Sequence, residues 1–241
     1  MALFFDLHNH SLCGVDDGAH DFQEMTAMLE TAYADGIRAI CFTPHYSPYH
    51  YGDTFESSSA AFETLRAYAT DKYPDLQLFL GHELGFYPAC PEALRAGRCR
   101  SLAGSCYVLV DFPQEAEFSE IQKGTDLLMR NGYLPVLAHT ERYLSLHRRL
   151  DWIEEFVESG GLVQVNASSA CERGLSPIRR QWVRLLKSGL VHVISSDAHN
   201  LTVRPPLMSV CMPHLKKYCS EEEIRCLVWE NAWRIVHNER F

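Results

Sequence analysis

The run Asp6-Leu7-His8-Asn9-His10, closing an apolar stretch that begins at Leu3, decides how this chain folds and what it is built to hold. Side chains two apart in an extended segment face the same way, so His8 and His10 present two imidazoles in one direction. Six pieces of the same chemistry follow: Asp16-Asp17-Gly18, Thr43-Pro44-His45, His82-Glu83, Val110-Asp111-Phe112, Ala138-His139 and Ser196-Asp197-Ala198-His199. Carboxylates and imidazoles scattered along a chain but placed at strand ends are how a βα barrel assembles a site at the C-terminal rim of its strands.

Outward from these pieces, short β-type runs alternate with helical patterns, the signature of consecutive βα units. The candidate strands are Leu3–Leu7, Ala39–Thr43, Gln77–Leu80, Tyr107–Asp111, Leu134–Ala138, Leu162–Val165 and His192–Ser195. Helical patterns lie near Asp21–Ala34, Ser57–Tyr73, Phe118–Asn131, Leu144–Ser159 and Pro177–Ser188, and Gly36, Gly132, Gly160 and Gly189 stand where left-handed helix ends are expected. Seven strands in this order predict a closed or nearly closed parallel barrel. The stretch Glu221–His237 reads as a terminal helix with Ser220 as N-cap and Glu223 completing a capping box. Trp229, Trp233 and Val236 share one face of it and are expected to pack on the barrel.

The 241 residues suit one α/β domain, taken as residues 1–241, and 46% hydrophobic residues are enough for a substantial core. A net charge of −9 argues against nonspecific nucleic-acid binding, which needs a basic footprint. The N-terminus shows no basic region or cleavage site of a secretory leader, and no stretch approaches the ~20 apolar residues of a membrane span. Nine cysteines, an odd number without a C-x-x-C pair, suit a reducing compartment. A cytoplasmic protein without membrane insertion is the expectation.

The pieces supply five histidines and four acids: His8, His10, Asp17, His45, Glu83, Asp111, His139, Asp197 and His199. A single histidine beside a strand is ordinarily a hydrogen-bonded core residue. Nine strand-end residues of the same chemistry point instead to metal, and mixed imidazole and carboxylate suits Mn, Fe, Zn or Co better than Ca. Four carboxylates in one pocket need countercharge. Three divalent cations would leave the site at roughly +2, a pocket that attracts a phosphate dianion.

The order H-x-H, D-D-G, T-P-H, E, D-F, A-H, S-D-x-H resembles the polymerase and histidinol phosphatase (PHP) superfamily. Val15-Asp16-Asp17-Gly18, Ala138-His139-Thr140-Glu141-Arg142-Tyr143 and Ser196-Asp197-Ala198-His199-Asn200 resemble its bacterial branch of tyrosine-protein phosphatases from capsule and exopolysaccharide operons. Leu190-Val191-His192-Val193-Ile194 and Arg204-Pro205-Pro206 fit that branch, and the similarity spans nearly the whole chain. The resemblance implies a distorted seven-stranded (β/α)7 barrel of PHP type and a trinuclear centre, with manganese as the leading metal and iron, zinc or cobalt as alternatives. By position, His8, His10, Glu83 and Asp197 would hold one ion. Glu83 would bridge to a second, held also by Asp111 and His139, while Asp17, His45 and His199 would hold the third. Many relatives carry Glu where this chain has Asp111, so the second ion sits on an arm one methylene shorter.

Arg142 and Arg204 fall in loops at the same rim, where guanidinium forks can clamp a phosphate ester; a surface salt bridge is the plain alternative for each. Tyrosines in His45-Tyr46-Ser47-Pro48-Tyr49-His50-Tyr51-Gly52 could flank a phosphotyrosine ring, and ordinary loop packing explains them equally well. His50, His82 and His147 read as solvent or supporting histidines. Cys219-Ser220-Glu221-Glu222-Glu223-Ile224-Arg225 matches the C-x5-R spacing of cysteine-dependent tyrosine phosphatases, but three glutamates oppose a thiolate there. No P-loop is present. The implied reaction is hydrolysis of phosphotyrosine on a protein by metal-activated hydroxide, the substrate being the tyrosine-rich tail of a bacterial tyrosine autokinase that controls polysaccharide export. The rival readings are a small-molecule phosphatase such as histidinol-phosphate phosphatase, and a metal-binding regulatory module without turnover.

Overall fold

The computed structural model describes residues 3–241. Nine strands, all paired in parallel, form its centre: β1 (Phe4–Asn9), β2 (Ile37–Phe42), β3 (His45–Tyr46), β4 (Gln77–Leu80), β5 (Glu83–Gly85), β6 (Tyr107–Asp111), β7 (Leu134–Leu137), β8 (Leu162–Asn166) and β9 (Val193–Ser195). They run in the order β1-β2-β4 and β3-β5-β6-β7-β8-β9. The two-residue gaps Thr43-Pro44 and Gly81-His82 break what would otherwise be two longer strands. β3 and β5, each three residues or fewer, were not foreseen because they carry too little apolar sequence to register as strands.

The sheet curls until its ends meet. His10 N donates to Ala198 O and Asp197 N to His8 O, both at 2.9 Å, and Leu7 N donates to Ser195 Oγ at 3.2 Å. This seam joins the first strand to the end of the last and brings the opening H-x-H beside Asp197 and His199.

Helices α1 (Phe22–Asp35), α2 (Phe55–Lys72), α3 (Cys90–Arg95), α4 (Phe118–Arg130), α5 (Leu150–Glu158), α6 (Pro177–Lys187), α7 (Met212–Leu215), α8 (Glu221–Arg225) and α9 (Asn231–Val236) connect the strands or follow the last of them. Asp21 caps α1 by accepting from Glu24 N, and Gly36 ends it at φ 101°, a conformation that favours glycine. The pattern expected over Leu144–Ser159 is interrupted: a 3₁₀ turn covers Leu144–Leu146, and Arg149, at φ −124° and ψ 45°, breaks the run before α5. Ser220 and Glu223 form the expected capping box, and α8 passes through a π-turn at Cys226–Glu230 into α9.

Alternation along the strands sorts the core into two layers. Tyr107 and Leu109 of β6, Val136 of β7, Leu162 of β8 and Val193 of β9 face inward with Phe5 and Leu7, and Ala232, Ile235 and Val236 plug the lower end. Trp229 and Trp233 pack on this inner cluster. The opposite faces, such as Val108, Val110, Val163 and Ile194, meet the helices. Higher up, the inward positions change from apolar to Asp111, Gln164 and Asn166, and the site begins there. Among the described residues no helix is long and apolar enough to cross a membrane.

Candidate metal centre

All nine residues named from the sequence converge at the C-terminal ends of the strands. They form three groups whose ligand atoms lie within 4.8 Å of one another: His10, Asp17, His45 and His199; His8, His10 and Asp197; Glu83, Asp111 and His139. At the middle is Glu83, 1% exposed. Its Oε2 lies 3.2 Å from Nε2 of His8, 3.2 Å from Nε2 of His10 and 3.0 Å from Nδ1 of His45. Its Oε1 lies 3.1 Å from Nε2 of His139. The two oxygens of one carboxylate therefore address different histidines. Asp197 Oδ1 is 3.5 Å from His8 Nε2, Asp111 Oδ1 is 3.5 Å from His139 Nε2, and Asp17 Oδ1 is 3.5 Å from Nε2 of both His45 and His199.

These donors fit a metal. Nε2 of His8 and Nε2 of His10 approach to 3.0 Å, and His199 Nε2 is buried with no hydrogen-bond partner. Basic nitrogens crowded around buried carboxylates, one of them orphaned, have the composition of a divalent-cation ligand set. With protons alone supplying positive charge, the ionisation is strongly skewed. Burial opposes a charge on Glu83, yet His8 and His45 and the hydrogen bonds from His10 and His139 hold its carboxyl well below the usual range. Burial likewise opposes a charged His10, but Asp16 and Glu83 overcome it and raise its pKa well above the ordinary value. His139 is raised to about 9 against burial by Asp111 and Glu83, whereas burial pushes His45 down to about 4. Burial raises Asp111. Protons on His10 and His139 thus stand where cationic charge is needed.

Two ligand candidates hold strained backbone. His139 has φ 31° and Asp197 φ 53°, in the left-handed region that costs a non-glycine residue about 1 kcal/mol or more. Each is pinned by neighbours: His139 N donates to Gln164 Oε1 at 2.7 Å, and Asp197 N to His8 O. At Gly18 a side chain would collide with the carbonyl of His10, 1.8 Å from an added Cβ. The Asp-Asp-Gly turn lies against the first strand only because that carbon is missing.

Several supporting residues escaped the sequence reading. Asp16, neighbour of the chosen Asp17, accepts from His10 Nδ1 at 2.7 Å and from His45 N at 2.8 Å. Gln164 and Asn166 bridge His8, His139 and Asp197; two polar residues at alternate positions of the buried strand Leu162-Val163-Gln164-Val165-Asn166 were the available signal. Tyr143 Oη donates to Asp111 Oδ1 at 2.7 Å and accepts from Phe112 N at 3.1 Å. Glu141 accepts from Asn166 N and Ser169 Oγ.

Both arginines stand at the rim. Arg142 Nη1 lies 3.2 Å from Asp197 Oδ2, and Arg204 lies 3.4 Å from Asp17 and 3.8 Å from Asp197. They pair with carboxylates of the centre itself, not with outlying surface acids. A cavity of about 230 Å³ lies between Glu83, Asp111, His139, Arg142, Asp197 and Arg204. Beside it a cleft of about 370 Å³ opens from His45 and Asp111 between Tyr49, Tyr51, Phe86 and Phe112. Tyr51 stacks on His45, centroids 4.7 Å apart and planes within 6°, and Tyr49 is 77% exposed.

The other histidines take supporting places. His82 is wholly buried, not solvated: its Nδ1 accepts from Arg100 N at 3.0 Å and its Nε2 meets Ser58 Oγ at 3.3 Å. His147 Nε2 donates to Glu141 O, and His50 is exposed. Cys219 precedes the capped start of α8, and burial raises its thiol pKa, so no phosphate cradle exists there.

Comparison with known proteins agrees over the full length. The family model described as capsular polysaccharide synthesis, CpsB/CapC, matches residues 4–237. Tyrosine-protein phosphatase CpsB of Streptococcus agalactiae serotype III (strain NEM316) is 27% identical over 238 residues, 97% of this chain and 98% of the relative. Tyrosine-protein phosphatase YwqE of Bacillus subtilis (strain 168) is 28% identical over 236 residues, 97% of this chain and 92% of the relative. Crystal structures of YwqE from B. subtilis and CpsB from Streptococcus pneumoniae, described as unique metal-dependent tyrosine phosphatases, supply a fold match with TM-score 0.86 and 27% identity. It covers 98% of this chain and 96% of the solved one.

Proposed function

The chain belongs to the CpsB/CapC family of capsular polysaccharide synthesis, and from that premise we infer that it is a metal-dependent tyrosine-protein phosphatase, a phosphoric monoester hydrolase acting on phosphotyrosine in proteins. The observation that carries the chemistry is the Glu83 carboxylate, with histidine nitrogens on both its oxygens and three ligand groups around it.

In this reading the centre holds three divalent cations, manganese first among the candidates. His8, His10, Glu83 and Asp197 hold one; Glu83, Asp111 and His139 a second; Asp17, His45 and His199 the third. His10 belongs to two of the three groups and would serve the first ion through Nε2, its Nδ1 being engaged by Asp16. When bound, the cations supply Lewis acidity to the phosphoryl group and activate water at neutral pH. Counting β2 with β3 and β4 with β5 as interrupted single strands gives a distorted seven-stranded barrel, a single domain over residues 1–241.

Arg142 and Arg204 bind and orient the phosphate. Arg142 spends one nitrogen on Asp197, which leaves the rest of its planar fork for phosphoryl oxygens. Asp197, Glu141, Glu83 and Asp111 raise its pKa against burial, so its charge is permanent. Charge growing on the equatorial oxygens is stabilised by these fixed guanidinium donors. The departing phenolate has a pKa near ~10, so it leaves without a dedicated general acid. The aromatic cleft beside His45 and Asp111 receives the tyrosyl ring, with Tyr51 as its nearest flat wall.

The substrate is a phosphotyrosine protein, and the tyrosine-rich tail of a bacterial tyrosine autokinase is the partner proposed. Nine free thiols suit the reducing conditions of a cytoplasmic site of action. The test is hydrolysis of a phosphotyrosyl peptide beside histidinol phosphate, each with added Mn²⁺ and with Asp197→Ala as control. Peptide turnover that vanishes in the control is expected. Turnover of histidinol phosphate alone would keep the centre but remove the protein substrate.

A further inference from the structure

We propose that Gln164 and Asn166 form a one-way hydrogen-bond relay that fixes the tautomer of His8 and the oxygen presented by Asp197, and so sets the cation affinity of the site. They are positioning residues: neither lines the substrate cavity, and each acts through a residue that does, His139 or Asp197. The proposal rests on the reading that His8, His10 and Asp197 hold a cation.

The direction of the relay follows from one donor that cannot be reversed. The backbone N–H of His139 can only donate, and it lies 2.7 Å from the Gln164 side chain, so the receiving atom is Oε1. His8 Nδ1 lies 3.2 Å from the same oxygen and must therefore carry a hydrogen, so that in the neutral imidazole Nε2 is the nitrogen with the lone pair. The other end of the amide is then a donor, 2.8 Å from Asn166 Oδ1. That contact turns Asn166 so that its Nδ2 donates to Asp197 Oδ2 at 2.7 Å. With Oδ2 engaged by Asn166 and Arg142, Oδ1 is the oxygen left facing His8 and His10.

Gln164, Asn166 and His8 are each 0% exposed, so water does not replace a missing link. Flipping either amide would set donor against donor at His139 or acceptor against acceptor at Asp197. Glutamine suits position 164 because an amide accepts from two donors on one side and donates on the other. A carboxylate cannot donate onward. Both residues occupy inward positions of β8, above Leu162, so the strand's own alternation delivers them to the centre. His8 is thereby held with Nε2 turned toward Glu83, His10 and Asp197 before any ion arrives.

The test uses the full-length chain, with two readouts. Long-range ¹⁵N correlation spectra of the metal-free protein at alkaline pH report the His8 tautomer, and titration with Mn²⁺ alone reports affinity. Wild type is expected to show His8 as the Nδ1–H tautomer. In Gln164→Leu both tautomers should appear and Mn²⁺ affinity should fall ~10–100-fold. Asn166→Ala should leave the His8 tautomer unchanged while affinity still falls, because only Asp197 has lost its tether; this variant decides the matter if Gln164→Leu does not fold. Wild-type Mn²⁺ affinity in Asn166→Ala, or a pure Nδ1–H His8 in folded Gln164→Leu, overturns the relay. A wild-type protein that binds no Mn²⁺ overturns the metal reading instead, while the tautomer readout still tests the hydrogen-bond chain.

Discussion

Replacing Tyr143 by phenylalanine removes one oxygen from a wholly buried residue and tests how the short arm of Asp111 is held. The ring stays packed against His139 and Phe112, at centroid distances of 5.7 Å and 6.4 Å. What disappears is a donor to Asp111 Oδ1 at 2.7 Å and an acceptor for Phe112 N at 3.1 Å. The Phe112 amide is left buried without a partner, which costs about 1–3 kcal/mol. The Asp111 side chain is 25% exposed, so water can restore much of its lost bond, and that part adds only ~0.5 kcal/mol. A total of about 2 kcal/mol in a chain of this length corresponds to a Tm lower by ~4–8 °C. Thermal unfolding of the metal-free protein measures it. Freed from the phenol, Asp111 can rotate away from His139, so metal affinity at the Glu83, Asp111 and His139 group should fall ~10–100-fold. An unchanged Tm together with unchanged Mn²⁺ affinity would refute the idea that Tyr143 anchors Asp111.

Glu83→Gln should release two metal equivalents together, seen by elemental analysis of purified protein, and lower kcat/KM by more than ~100-fold; loss of one equivalent would show that Glu83 does not bridge. Arg142→Ala should lower kcat/KM for a phosphotyrosyl peptide by ~10²–10³ with metal content retained, and undiminished turnover would remove it from phosphate binding. His192, far from the centre, is pushed down to about 4 by burial, and its Nδ1 accepts from Val163 N at 3.2 Å. The unfolded chain takes up that proton near pH ~6.5 and the folded one only near 4, so stability is complete above ~6.5 and is lost as pH falls toward 4. Wild type should lose up to about 3 kcal/mol more across this window than His192→Asn, which keeps an acceptor but does not titrate; parallel denaturation curves for the two proteins would contradict this.

Much of the molecule was legible in its sequence because the strands that matter are apolar runs ending in chemistry. Gln77–Leu80 and Tyr107–Asp111 appear with the boundaries expected, and Phe118–Asn131 differs from α4 by one residue. The nine ligand candidates were readable for the same reason: His, Asp and Glu are conspicuous where an apolar run stops. The supporting groups were not. Gln164, Asn166 and Tyr143 have side chains common in loops and cores, and their roles arise from neighbours 25 to 156 residues away in sequence. Asp16 shows the limit most plainly. In Asp-Asp-Gly either carboxylate could face the centre, and only the turn against His10 assigns Asp16 to the imidazole and Asp17 to the open side. The strand breaks at Thr43-Pro44 and Gly81-His82 also lay beyond the pattern, since β3 exists through pairing with β5, and β5 through pairing with β3 and β6, rather than through local preference.

The most direct measurement follows metal content and catalysis in the same sample. Protein stripped of metal is titrated with Mn²⁺ while bound equivalents and hydrolysis of a phosphotyrosyl peptide are recorded together. No turnover is expected in the stripped protein, followed by a rise that levels off as three equivalents bind. Turnover without metal, or a fully loaded protein that leaves phosphotyrosine intact, would contradict this.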